Sequence, residues 1–78
     1  MKIEVLGPGC SRCKETFRVV RHVVEQSGLD AEVVKDESIE RMMALGLLAT
    51  PGVAVDGKIV VSGRIPKAEE VRQLLGVA

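Results

Sequence analysis

The stretch ATPGVAVDGKIVVS, residues 49–62, decides the fold. Its Thr-Pro-Gly sequence interrupts regular secondary structure before a short apolar run, and a second apolar run follows two residues later. Asp56 and Gly57 lie between the two runs, and Asp-Gly in that position is a strong signal for a two-residue β-hairpin. The stretch therefore predicts two neighbouring antiparallel strands that begin after a break at Thr50-Pro51.

The first half of the chain predicts a strand, a helix and a second strand. Residues 2–6, KIEVL, are partly alternating and β-branched, and a Gly-Pro-Gly loop ends them. From Cys13 the apolar residues recur at helical spacing until Gly28, which predicts a helix. Residues 31–35, AEVVK, predict the next strand. Because a helix connects the two strands, we expect them to be parallel.

Two further helices are predicted on either side of the hairpin. The first is short: Asp36 or Ser38 caps it and Gly46 ends it, and three of its apolar residues are expected to face inward, namely Ile39, Met42 and Met43. The second ends the chain, with Pro66 at its first position. Its expected apolar stripe consists of Ala68, Val71, Leu74 and Leu75.

The predicted order of elements is βαβαββα. It describes an α/β protein with a four-stranded mixed sheet flanked by three helices, and residues 1–78 form a single domain. The composition is globular, with 46% hydrophobic and 28% charged residues. Eleven basic and eleven acidic residues cancel and Phe17 is the single aromatic residue, so we expect no nucleic-acid partner. No apolar run has the length of a membrane span, so we expect a cytoplasmic protein without a membrane partner.

Chemistry is concentrated in GPGCSRCKETF, residues 7–17, where two cysteines are separated by two residues. Cys10 lies where a loop meets a helix, and backbone N–H groups and the helix dipole there favour a thiolate, the attacking species in disulfide exchange. Cys13 lies one turn later on the same face, where the two sulfurs can bond. We therefore expect Cys10 to be the nucleophile and Cys13 to be the resolving cysteine.

The cysteine pair is also compatible with other functions. A purely structural role for a disulfide is a weak hypothesis, because a loop of four residues constrains the unfolded chain little. A soft-metal module is the stronger alternative, since small copper-binding domains also present two thiolates at the start of a helix, and zinc is a further choice. The ferredoxin-like order of such domains would place two strands after the first helix, whereas this chain predicts a short helix and Thr50-Pro51 before its hairpin.

Together, GCSRC after the first strand, TPGVAVDGK at the hairpin and Gly63 before the last helix resemble the thioredoxin superfamily. The similarity is greatest to its small prokaryotic branch of thioredoxin-like redox-active disulfide proteins, and it covers nearly the whole chain. The resemblance implies a compact thioredoxin- or glutaredoxin-like fold and reversible dithiol–disulfide exchange with protein disulfides. It also implies that no cofactor is bound beyond the reversible Cys10–Cys13 disulfide, and that no metal is required.

The resemblance assigns further residues and partners. It implies a cis peptide bond between Thr50 and Pro51, beside the cysteines, and a substrate-binding surface that includes Thr50, Pro51 and Gly63. Ser11 and Arg12 stand where thioredoxins have Gly-Pro, so they are candidate modulators of the redox chemistry. Electrons are expected from a thioredoxin-reductase-like enzyme or a small thiol, and the protein is expected to be a monomer.

Glu4 is a third candidate modulator. The resemblance implies a buried acid with a raised pKa at about this position, able to accept a proton from the second cysteine. Its place near the end of a strand favours instead a residue that faces solvent.

Overall fold

The computed structural model describes residues 1–9 and 11–76. The predicted order βαβαββα is confirmed. The strands are β1 (Lys2–Leu6), β2 (Glu32–Asp36), β3 (Gly52–Val55) and β4 (Lys58–Ser62). The helices are α1 (Ser11–Ser27), α2 (Ile39–Leu45) and α3 (Ala68–Leu75).

The four strands form one mixed sheet in the order β2-β1-β3-β4. β1 pairs parallel with β2 through the α1 crossover and antiparallel with β3, and β3 pairs antiparallel with β4. The β3–β4 turn has positive φ at both central residues, 50° at Asp56 and 84° at Gly57, as the hairpin turns favoured by strand twist require. The N–H and C=O groups of Lys2 bind this turn, donating to Asp56 Oδ1 and accepting from Asp56 N–H, each at 2.8 Å.

Alternate residues of β1 supply both faces of the sheet. Ile3 and Val5 pack with α1 and α3 in the main core, whose other buried members are Val20, Val23, Val24, Val53, Val61, Val71 and Leu75. Leu6 packs on the opposite face against Met42 of α2 and Ala54 of β3. The strand's burial on both faces makes β1 the centre of the fold.

Three apolar residues of α2 were expected to face inward, and for two of them the expectation was wrong. Met42 is buried, whereas Ile39 and Met43 are 67% and 73% exposed. The helix has only seven residues, and the side that faces the sheet carries Met42 and Leu45, three residues apart. Ile39 and Met43 lie together, four residues apart, on a different side of the helix. Its ends match the prediction, since Ser38 is the N-cap and Gly46 the C-cap.

The start of α3 and one residue of its stripe also differ from expectation. Lys67 is the N-cap, so the buried Pro66 precedes the helix instead of opening it. Val71 and Leu75, four residues apart, are buried, but Leu74 is 40% exposed. Among the described residues, none of the helices combines the length and apolarity that crossing a membrane requires.

We predict that Gly57→Ala lowers the free energy of unfolding by about 1–2 kcal/mol, because a Cβ atom is disfavoured at left-handed φ. Equilibrium urea unfolding measures the change. Lys58→Ala, one residue later at an exposed strand position, is the control and should change the value by no more than about 0.5 kcal/mol. Equal effects of the two substitutions would contradict the role of the turn.

Candidate active site

Cys13 lies in the first turn of α1, and its side chain is buried, with 1% of its surface exposed. Cys10, the predicted nucleophile, lies outside the described residues. Ser11 and Arg12, the residues between the two cysteines, are exposed at the beginning of α1. The Arg12 carbonyl accepts a 2.9 Å hydrogen bond from the buried hydroxyl of Thr16, which closes the first turn of the helix. Cys13 is thus held inside the first turn while its two predecessors face solvent.

The sulfur of Cys13 lies directly against the backbone of Gly7, just after β1. A Cβ atom placed on Gly7 would be 2.1 Å from Cys13 Sγ, and the same position is 3.9 Å from Thr50 Cβ. Three elements therefore meet at this point: the end of β1, the first turn of α1 and the loop before β3. Sequence patterns indicated the cysteines and the Thr-Pro pair, but they gave no role to Gly7.

The Thr50–Pro51 loop has a defined shape beside Cys13. The peptide bond between Thr50 and Pro51 is cis, and Pro51 is buried. Gly63 N–H donates to the Pro51 carbonyl at 2.9 Å. Gly63 has a φ of 78°, and a Cβ atom there would approach Ala49 Cβ to 3.0 Å. The structure thus brings Thr50, Pro51 and Gly63 to the same end of the sheet as Cys13.

Glu4 is buried, with 3% of its surface exposed, so the expectation that it faces solvent was wrong. Its carboxylate accepts two hydrogen bonds from Arg41 of α2, at 2.9 Å from Nε and 2.8 Å from Nη2. These bonds, with the positive charges of Arg41 and Lys2, hold the pKa of Glu4 below its ordinary value despite the opposing effect of burial. This direction is opposite to the raised pKa that a proton acceptor at this position would need.

Arg41 is the residue that sequence reasoning missed at this position. Glu4 is on the α2 face of β1 with Leu6, whereas Cys13 belongs to α1 on the other face. A buried strand carboxylate needs a cation, and Arg41 is the sole basic residue of α2. Once α2 is known to cover the strand, Arg41 is therefore identified as the partner of Glu4. The pair connects the sheet to the helix that precedes the Thr50–Pro51 loop.

A second acid approaches the loop before the cysteines. A Cβ atom on Gly9 would be 2.6 Å from Glu37 Oε2, and Gly9 has a φ of 86°. A carboxylate beside this loop adds a negative charge near the N-terminus of α1. It therefore partly cancels the positive potential that the helix dipole produces there. Among residues 1–9 and 11–76, no group of three or more His, Cys, Asp or Glu side chains is arranged to hold a metal ion.

Comparison with known proteins identifies the family. The family described as "Thioredoxin domain" matches residues 1–76. This chain belongs to the thioredoxin family. It is 37% identical over 75 residues to a thioredoxin of Methanothermobacter thermautotrophicus, an alignment that covers 96% of this chain and 97% of the relative. It is 41% identical over 73 residues to a thioredoxin of Methanocaldococcus jannaschii, and that alignment covers 94% of this chain and 84% of the relative. At the level of the thioredoxin family, the activity is thiol–disulfide exchange.

The Glu4–Arg41 pair predicts a pH dependence of stability. Because the native pKa of Glu4 is below its ordinary value of 4.5, the pair stabilises the fold above that pH. This stabilisation is lost as the pH falls through the native pKa. Arg41→Met should lower the free energy of unfolding at neutral pH, since it leaves a buried carboxylate without its cation. The loss should shrink toward acidic pH, where Glu4 becomes neutral.

Urea unfolding of both proteins over a series of pH values measures the difference. Arg18→Met, which breaks the exposed ion pair with Glu15 on α1, is the matched control and should have little effect at any pH. A loss in Arg41→Met that is the same at neutral and acidic pH would contradict the assigned charge of Glu4.

Proposed function

We propose that this protein is a dithiol–disulfide oxidoreductase in which Cys10 attacks a protein disulfide and Cys13 resolves the product. The observation that carries the proposal is the burial of Cys13 in the first turn of α1, against Gly7 and the Thr50–Pro51 loop. A cysteine with 1% exposure is poorly accessible to a disulfide of another protein, but its sulfur can react with a neighbouring sulfur of its own chain. Family membership supports the same chemistry.

The reaction takes place in two exchanges. The Cys10 thiolate attacks one sulfur of the substrate disulfide, forming a mixed disulfide and releasing the other substrate sulfur as a thiolate, which takes up a proton. Cys13 then loses its proton and attacks the Cys10 sulfur, and the second substrate sulfur leaves as a thiolate. The substrate disulfide gains two electrons, and the protein loses two as the Cys10–Cys13 disulfide forms. No bound cofactor is needed for either step.

The start of α1 supplies the electrostatic setting for the first exchange. The N–H groups of a first helical turn point toward its N-terminus, where they and the helix dipole stabilise a negative charge. Arg12 adds a positive charge on an exposed side chain, whereas Glu37 near Gly9 adds a negative one. Arg12 and Glu37 thus act in opposite directions on a thiolate at Cys10, and Ser11 adds no charge. The helix terminus and the charge of Arg12 favour a thiolate at Cys10, and the charge of Glu37 disfavours it.

The Thr50–Pro51 loop is the proposed substrate-binding surface. Backbone pairing with an extended segment gives affinity without requiring a particular sequence, which suits an enzyme with several clients. Gly63 supports this loop by donating its N–H to the Pro51 carbonyl, so that donor is already engaged within the protein. Gly63 therefore contributes by holding Pro51 and by leaving the surface clear of a side chain.

We propose disulfide-containing proteins as substrates and a thioredoxin-reductase-like enzyme or a small thiol as the source of electrons. A cytoplasmic monomer fits this role, because reducing systems there keep thiols available for exchange.

The two cysteines should give opposite results when each is replaced by serine. Cys10→Ser removes the attacking sulfur, so turnover with a disulfide substrate should fall to the uncatalysed rate. Cys13→Ser should still form the mixed disulfide but fail to resolve it, so covalent adducts should accumulate. Intact mass after incubation with a disulfide-bonded protein detects the adducts, and the double variant is the control. Adducts on Cys10→Ser instead of Cys13→Ser would reverse the roles, and adducts on neither would contradict the mechanism.

A further inference from the structure

We propose that Gly7 is a positioning residue for the resolving step: its missing side chain leaves the space in which the sulfur of Cys13 lies. The inference rests on the proposed function for its chemical consequence. The packing that it describes concerns Gly7, Cys13 and Thr50, and it can be tested without any redox reaction.

Gly7 is required for space and not for a left-handed φ. Its φ lies outside the left-handed region, in contrast to Gly9 and Gly63. A left-handed φ is therefore not the reason for glycine at this position. The obstacle is Cys13, because a Cβ atom on residue 7 would lie 2.1 Å from its Sγ and 3.1 Å from its Cβ. Optimal contacts between carbon atoms are about 3.5–4.0 Å, so both atoms would have to move.

The backbone on each side of this contact is fixed. Gly7 N–H donates to the Asp36 carbonyl at 3.1 Å, which continues the β1–β2 pairing by one residue beyond Leu6. On the other side, α1 is anchored in the main core by Val20 and Val23, both completely buried. Since neither backbone can easily retreat, a side chain at position 7 must displace the sulfur itself.

Displacement of that sulfur changes the chemistry. Closing a disulfide requires Cβ atoms about 3.5–4.5 Å apart and a dihedral angle near 90°, so a shift of about 1 Å is enough to slow the attack. Thr50 borders the space from the other side, its Cβ lying 3.9 Å from the position of the missing Cβ atom. The closely packed interior leaves the surface as the direction in which the sulfur can move. Gly7→Ala should therefore make Cys13 both slower to resolve and more exposed.

The first test compares Cys10→Ser with Cys10→Ser/Gly7→Ala, in which Cys13 is the single cysteine. We expect alkylation of Cys13 by iodoacetamide in the native protein to be about tenfold faster or more in the second variant, because its sulfur is no longer buried. Gly52→Ala in the same background is the control. A Cβ atom at residue 52 would be 2.5 Å from Leu47 Cδ1 on the opposite face of the sheet, so it creates crowding away from Cys13. An unchanged or slower alkylation with Gly7→Ala would overturn the inference.

The second test uses both cysteines. In each protein, Cys10 is first converted to a mixed disulfide with a small aromatic thiol. The release of that thiol should be at least about tenfold slower from Gly7→Ala than from the wild type. If Gly7→Ala does not fold, Gly7→Ala/Cys13→Ala should restore folding, since it removes the atom in closest contact; failure to do so would overturn the inference. A wild-type protein that forms no Cys10–Cys13 disulfide would defeat the proposed function alone, because the alkylation comparison would still report on Gly7.

Discussion

β1 lies at the centre of the sheet and is covered on both of its faces, and the active site is built at its end. Ile3 and Val5 meet α1 and α3, Glu4 and Leu6 meet α2, and the backbone of β1 pairs with β2 and β3. A strand in this position has no freedom to shift its register, because a slip of one residue would exchange its two faces. The place at which the chain leaves β1 is therefore fixed, and Gly7 is the first residue beyond it.

Two contacts, one made by β1 and one made just beyond its end, connect the sheet to different helices. Glu4 and Arg41 join the sheet to α2, the helix before the Thr50–Pro51 loop, through two charge-assisted hydrogen bonds. The backbone of Gly7 meets Cys13 on the other face and brings α1 to the same end of the sheet. The loop and the buried sulfur are thus located relative to each other by one strand. This arrangement gives the small protein a defined site although it has little core to stabilise it.

Much of the fold could be predicted because its signals are local. Asp56-Gly57 specified the hairpin, and Ser38 and Gly46 marked the ends of α2. The errors concern contacts between distant parts of the chain. Ile39 and Met43 suited an inward stripe, but a seven-residue helix has only one narrow side against the sheet. Glu4 appeared suited to solvent because its partner, Arg41, lies 37 residues away.

The same distinction applies to the site. Two cysteines two residues apart and a Thr-Pro before a hairpin can be recognised in the sequence, because each pattern is short and its chemistry is known. Gly7 cannot be recognised in this way, since a Gly-Pro-Gly sequence indicates a loop whether or not a sulfur lies against it. A close contact between two secondary-structure elements exists only in the folded chain. Glycine has no side chain, so no sequence pattern indicates such a contact.

An equilibrium redox titration of the purified protein in defined thiol buffers tests the disulfide chemistry most directly, with alkylatable cysteines counted by intact mass. Reversible exchange predicts a single two-electron transition in which both cysteines lose reactivity together in a monomeric species, as the Cys10–Cys13 disulfide forms. A midpoint near about −270 mV would mark a reductant and one near about −120 mV an oxidant. If Cys10 and Cys13 form no disulfide with each other at any potential, the protein is not the oxidoreductase described here.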